Sequence, residues 1–227
     1  MRIGIIVAME KEANLLLHLI ENKKETGING YTIHSGDLGN HKVFAMQCGI
    51  GKVNAAIGTM TLIEHFSPEL IINTGVAGGA SLSVKQKTMV IGTKIAYHDV
   101  WCLEEYGKVS GFPLYFHSEE KTVEIIKSIE NGKDIKYGLI CSGDKFISKE
   151  AEVDEIRSHF PDVLAVDMES GAIAQVCYMK KTPLLVARII SDTPGAEKDN
   201  TNQYEDFWES APKHTFQLLS EIITNLK

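Results

Sequence analysis

The sequence predicts an α/β sandwich, with strand and helix mixed around one sheet, and three observations carry that expectation. Short apolar runs alternate with helix-period segments along the whole chain. No linker or internal repeat interrupts them, so the 227 residues are expected to form one domain, 1–227. The stretch from Val163 to Asp192 displays the pattern most fully: the apolar VLAVDM, the helical ESGAIAQVCYMKK and the apolar TPLLVARIISD. A strand, a helix and a strand in this order are expected to lie as parallel neighbours, and parallel sheets place ligands outside the carboxyl ends of their strands. The first run stops at Asp167-Met168-Glu169 and the second at Ser191-Asp192, so two carboxylates, Glu169 and Asp192, are expected to face one crevice. Taken singly, Glu169 suits a helix start and Asp192 opens the turn before Pro194-Gly195. As a pair of acids at the ends of a buried unit they are costly unless paired or used, which favours function. The helix between them is apolar nearly all round, with Met168, Ala172, Val176 and Met179 on one side and Ile173 and Cys177 on another, and is predicted to lie inside.

The remaining elements follow in order. Arg2 to Ala8 reads as a central strand and Glu10 to Ile20 as a helix, which puts Glu12 in a first turn, where an ordinary surface acid suits the dipole. Tyr31 to Leu38 and His41 to Cys48 read as a hairpin joined by Gly39-Asn40. Gly49-Ile50-Gly51-Lys52 then precedes a helix from Val53 to Glu64, but it lacks both the Walker spacing and the longer dinucleotide fingerprint. Leu70 to Thr74 is a buried strand running into Gly75-Val76-Ala77-Gly78-Gly79, which suits either a close backbone approach to a ligand or a tight strand-to-loop turn. After the strand Thr88 to Tyr97, the segment Trp101 to Phe116 mixes five aromatics with Gly107, Gly111 and Pro113. It reads as a long loop at a partner surface or pocket rim.

The helix Lys121 to Glu130, the strand Tyr137 to Cys141 and the helix Ala151 to Phe160 lead into the 163–192 unit. Beyond it, Thr193 to Gln203 is too polar to pack and reads as a mobile lid. Glu205 to Leu226 is a closing helix with Phe207, Ala211, Leu218, Leu219, Ile222 and Ile223 inward, kinked or begun afresh at Pro212.

Composition narrows the function. A net charge of −7 with Lys and Arg spread singly offers no face for a phosphate backbone, so nucleic acid is not an expected partner. No apolar run approaches the length of a membrane span and no signal peptide is visible, so a soluble, cytoplasmic protein is expected. Cys48, Cys102, Cys141 and Cys177 are widely spaced and read as reduced thiols, with no metal site implied.

Five motifs coincide: GIIVAMEKE at the start, CGIGKVNAA, NTGVAGG, SGDKFI, and VDMES followed by ARIISD. Together they resemble the 5′-methylthioadenosine/S-adenosylhomocysteine nucleosidases of the purine nucleoside phosphorylase superfamily. The resemblance implies a three-layer α/β/α sandwich, a central mixed β-sheet surrounded by helices, and hydrolysis of the bond between adenine and a 5′-thio-substituted ribose without a cofactor. By the same resemblance Glu12 would deprotonate the attacking water. Asp192, steadied by Ser191, would protonate N7 of adenine. Phe146 would stack on the purine and the backbone of Ile147 would pair with its polar edge. Glu169 would hold the ribose hydroxyls beside Met168, with Met9 and Ile50 on the apolar side and Arg188 in the network around sugar and water. Tyr204 and Phe207 would wall the 5′ tail. Several family members carry Ser at the position of Val76 and Glu at that of Asp167, which ties those two positions to the water network and the hold on the ribose. The resemblance further implies a homodimer in which the Trp101 to Phe116 loop crosses to the neighbour's 5′ pocket, and within that loop Phe112 and Pro113 are expected to reach across, because Gly111 and Pro113 would hold a projecting turn.

The chemistry suits those residue types. Breaking a glycosidic bond builds positive charge on the ribose and negative charge on the leaving adenine, so an acid is needed at the base and a carboxylate near the sugar. Two rival readings remain at this level. A purine nucleoside phosphorylase would need cationic or hydroxyl donors for phosphate, and Arg188 is its one support. A non-catalytic adenosine-binding sensor would need neither Glu12 nor Asp192. Among nucleosidase substrates, 5′-deoxyadenosine and 6-amino-6-deoxyfutalosine remain open beside the two thio-nucleosides.

Overall fold

The computed structural model of the chain describes residues 1–194, 200–210 and 212–226, the last two stretches with side chains at 203–208 and 217–226. The N-terminal half runs β1 (Arg2–Val7), α1 (Glu10–Leu17), β2 (Glu21–Ile28), β3 (Tyr31–Leu38), β4 (His41–Gln47), α2 (Lys52–Phe66), β5 (Leu70–Gly79) and β6 (Met89–Tyr97). It continues with β7 (Phe116–His117), α3 (Glu120–Ile129), β8 (Ile135–Ser142), α4 (Glu150–His159), β9 (Val163–Asp167), α5 (Ser170–Lys180), β10 (Leu184–Asp192), α6 (Asn200–Ser210) and α7 (Pro212–Asn225). These form one mixed sheet with helices on both sides. One face packs β1, β5 and β10 against α1, α3 and α7 through Leu16, Ile126 and Ile222, and the other packs the sheet against α2 and α5 through Leu62 and Ile173.

The strand order is β10-β6-β8-β9-β5-β1-β4-β3-β2, and β10 also pairs with β5, so five of the strands close into a ring while the rest extend as an open sheet. This corrects the expectation that the strands flanking α5 are parallel neighbours. β9 pairs with β8 in parallel and with β5 antiparallel, whereas β10 pairs with β5 in parallel and with β6 antiparallel. The reason lies in the glycine cluster, which continues β5 as strand and is not a turn. A Cβ at Gly78 would lie 3.2 Å from Val166 Cγ2, and one at Gly79 would lie 3.3 Å from Ile190 Cγ2. Bare backbone there lets β9 and β10 both close on the same strand. Gly78 is the partner of Val166 on one side and of Asp192 on the other, so the carboxyl ends of β9 and β10 still converge.

Other differences are local. β2, reading ENKKETGI, is an exposed strand with no apolar alternation, so periodicity does not reveal it; it is held by backbone pairing to β3. In α5 Ala172, Ile173, Val176 and Cys177 are buried as expected, but Met179 is exposed at the helix end. The strand expected over Leu70 to Thr74 does not turn at the glycine cluster but runs on for five further residues, to Gly79. A new helix begins at Pro212; Ala211, and 195–199 of the expected lid, lie outside the described residues.

Candidate active site

The convergence at Gly78 opens into a cleft lined from several parts of the chain. β1 leads to Met9, α1 supplies Glu12, the turn before α2 supplies Ile50, and β5 supplies Val76. The segment after β8 brings Phe146 and Ile147, β9 ends there in Asp167-Met168-Glu169, β10 ends there in Ser191-Asp192, and α6 contributes Tyr204.

Glu12 is 1% exposed, although it stands in the first turn of α1. As the third residue of the helix it reaches back, and Oε2 accepts from the amides of Ala8 and Met9, each at 2.9 Å. Oε1 accepts from the Val76 amide at 2.9 Å. Burial raises the Glu12 carboxyl above its ordinary value, against the pull of Arg188 and the three amides. Val76 makes this contact through its backbone, so a hydroxyl at that position is not needed to hold Glu12. Gly75, at φ +135°, has no side chain for a physical reason: a Cβ there would lie 2.4 Å from Glu12 Oε1 and 2.8 Å from Arg188 Nη1.

Arg188 is fully buried within β10 and does not wall the cavity. Its Nε pairs with Asp167 Oδ2 at 2.8 Å, and its Nη2 lies 3.3 Å from Glu169 Oε2 and 3.0 Å from Asn73 Oδ1. Its Nη1 donates to the Thr74 carbonyl at 3.3 Å. Burial acts to lower the guanidinium's pKa, but the carboxylates of Asp167, Glu169 and Glu12 outweigh it, so the net shift is upward. Asp167 is itself oriented by Ser170, whose Oγ donates to Oδ1 at 2.8 Å. Glu169 accepts the Gly51 amide at 3.0 Å. Burial pushes Glu169 up to about 7, with Arg188 opposing and Asp167 adding to the rise. The result is a bank of carboxylates around one cation, of which Glu12, Asp167 and Glu169 face the cavity.

At the other acid, Ser191 Oγ donates to Asp192 Oδ1 at 2.6 Å, and both residues are buried at the cavity wall. Phe146 is half-exposed, and Tyr204 meets it edge-on with ring centroids 6.3 Å apart. The Tyr204 hydroxyl donates to Met9 Sδ at 3.2 Å. Tyr204 therefore bridges the segment before Glu12 and the segment after β8 across the cavity.

The family model of the phosphorylase superfamily matches residues 2–224. A 5′-methylthioadenosine/S-adenosylhomocysteine nucleosidase from an Exiguobacterium species is 40% identical over 100% of this chain and 99% of its own length. The chain belongs to the 5′-methylthioadenosine/S-adenosylhomocysteine nucleosidase family. Among solved structures of that family, the S-adenosylhomocysteine nucleosidase of Streptococcus pyogenes in complex with 5-methylthiotubericidin has a TM-score of 0.95 at 35% identity, covering 100% of this chain and 98% of its own. The Streptococcus pneumoniae enzyme with the transition-state inhibitor MT-ImmA has a TM-score of 0.94, also at 35% identity, with both chains covered in full.

Against the family pattern, the structure brings twelve of the expected residues to one cavity and leaves four away from its wall. Arg188 stands behind the carboxylates. Phe207 is buried in the core and does not reach the cavity, where α6 presents Tyr204. Phe112 and Pro113 are half-buried away from it, Phe112 meeting Tyr178 edge-on at 6.1 Å. Ala77 and Gly78 of the glycine cluster also line the wall, as a close backbone approach to a ligand requires, whereas sequence reasoning missed Ala8, Lys145 and Val166 in the wall and Asn73 behind Arg188. A polar Asn inside the apolar run Leu70 to Thr74 was the available signal for the last.

Proposed function

We infer that this protein hydrolyses the N-glycosidic bond of 5′-methylthioadenosine and S-adenosylhomocysteine, releasing adenine and the 5-thioribose sugar. The observation that carries the residue assignment is the pair of differently held acids in one cavity, Glu12 on three amides and Asp192 on a serine hydroxyl. Glu12 takes a proton from the attacking water: burial has made it a stronger base than an exposed carboxylate. Asp192 gives a proton to N7 as the bond breaks, with Ser191 fixing its carboxyl group. Glu169 balances the cation that grows on the ribose, and Phe146 supplies the face on which adenine stacks. Arg188 acts through Asp167 and Glu169, setting their geometry and charge.

A phosphorylase reading loses its support here, because the Arg188 guanidinium is engaged by Asp167, Glu169, Asn73 and Thr74. The deciding experiment is adenine release from a panel of 5′-substituted adenosines with and without phosphate. Free thioribose at a rate independent of phosphate is expected, and a sugar 1-phosphate would overturn the reading.

The protein acts as a homodimer in this proposal. Val53 and Ile57 of α2, Tyr178 and Met179 of α5, and Trp101 and Leu103 of the loop are exposed, and α2 and α5 pack side by side. Phe112 meets Tyr178 of this surface, and Ile50, exposed just before α2, is part of the cavity wall. A two-fold contact of this kind buries on the order of 2,000 Å². Light scattering across dilution tests it, and a fully active monomer would end the shared-site idea. Among the described residues no helix is long and apolar enough to cross a membrane. The free thiols Cys48, Cys141 and Cys177 fit a reducing cytoplasm.

A further inference from the structure

We propose that Asp144, which does not touch the cavity, is a positioning residue that locks the purine-stacking segment to the carboxylate that holds the ribose. The inference rests on the functional reading above. Its basis is the start of α2. The residue preceding that helix is Gly51, at φ +94°, which has no side chain with which to cap it. The first amides of a helix have no partner within it. Here two of them are met from distant parts of the chain: Glu169 Oε1 accepts from Gly51 N at 3.0 Å, and Asp144 Oδ1 accepts from Lys52 N at 2.8 Å. Carboxylates at this end of a 15-residue helix are also favoured by its dipole.

Asp144 is fixed in turn. Its own amide donates to Asp99 Oδ2 at 2.8 Å, the same oxygen that holds Lys52 Nζ at 2.7 Å. Lys52 Nζ also lies over the Tyr97 ring, 5.5 Å from its centroid. The next residues after Asp144 are Lys145, Phe146 and Ile147, all in the cavity wall. One carboxylate therefore sets two things: the position of Phe146 through the chain, and the direction of the Gly51 amide that holds Glu169. A surface ion pair alone contributes little. The contact that matters is the one to a helix amide, which a neutral acceptor of the same shape can replace.

The test compares Asp144→Ala and Asp144→Asn in the full-length protein. Michaelis constant and turnover for 5′-methylthioadenosine, the dissociation constant for adenine and the melting temperature are measured for each. Asp144→Ala is expected to lower kcat/KM by about ten-fold or more and to weaken adenine binding, since a charged acceptor bond to an amide is lost. Asp144→Asn is expected to restore most of both, because its Oδ1 still accepts from Lys52 N. Three results would overturn the proposal: Asp144→Ala within about two-fold of wild type in both quantities, Asp144→Asn as impaired as the alanine variant, or a fall in rate that follows the melting temperature while adenine affinity stays unchanged. Wild-type protein that releases no adenine from either thio-nucleoside would instead refute the functional reading, and adenine binding by the two variants would still decide the role of Asp144.

Discussion

Glu169→Gln probes the charge balance of the buried cluster and yields a signature in stability as well as in rate. Glu12, Asp167 and Glu169 surround a single guanidinium, so the cluster is over-supplied with negative charge when every acid is ionised. Burial raises Glu169 from 4.5 to about 7. A carboxyl raised in this way binds its proton more tightly in the fold than in the unfolded chain. Its stabilising contribution is fully present below pH 4.5 and is lost as the pH rises through about 7. At about 1.36 kcal/mol per pH unit, the loss across that window comes to about 3 kcal/mol. Glutamine does not titrate, its Oε1 can still accept the Gly51 amide, and Arg188 keeps Asp167 at 2.8 Å. Urea unfolding at closely spaced pH values is expected to show the variant gaining about 3 kcal/mol on wild type between the acid and alkaline ends of the window. Turnover should fall sharply at the same time, since an amide cannot balance the ribose cation. Unfolding curves that keep a constant separation across the window would refute the reasoning, because Glu169 would then not titrate there.

Further perturbations address the other parts of the site. Glu12→Gln and Asp192→Asn should each reduce turnover by about 10²–10⁴-fold in a folded protein, Glu12→Gln also lowering the melting temperature because its NH2 must face a backbone N–H that the carboxylate accepted, and near wild-type adenine release by either variant would remove that residue's proton-transfer role. Gly75→Ala must place a methyl group 2.4 Å from Glu12 Oε1 at a φ of +135°, so it should cost about 2–4 kcal/mol in chemical denaturation along with most activity. A stable, active Gly75→Ala protein would show that the Glu12 carboxylate can move freely. Tyr204→Ala opens the bridge between Met9 and Phe146 and should reduce discrimination between methylthioadenosine and adenosine by about ten-fold in kcat/KM; unchanged discrimination would place the 5′ tail elsewhere.

What the sequence made legible follows the physics of short-range order. Apolar period and turn residues marked most elements, because each records which face of a local segment is buried. β2 escaped because it is an edge strand whose hold is backbone pairing, and ENKKETGI carries no trace of that in its side chains. Glu12 was legible as a helix-start acid, and the structure agrees, for it does reach back to the Met9 amide. Its burial was not legible, since that depends on Val76 donating from β5, 64 residues away. Arg188 was the strongest local anomaly: a cation inside an apolar strand must have anions near it, and Asp167 and Glu169 supply them. The pairing of β9 and β10 shows how a sound conclusion can survive a wrong intermediate. The argument from parallel neighbours fails, yet both strands end at Gly78, where a strand without side chains admits one partner from each side. Acids placed just at those two ends are bound to meet, whichever way the strands run. The site is thus encoded less by strand direction than by where the glycines let strands end.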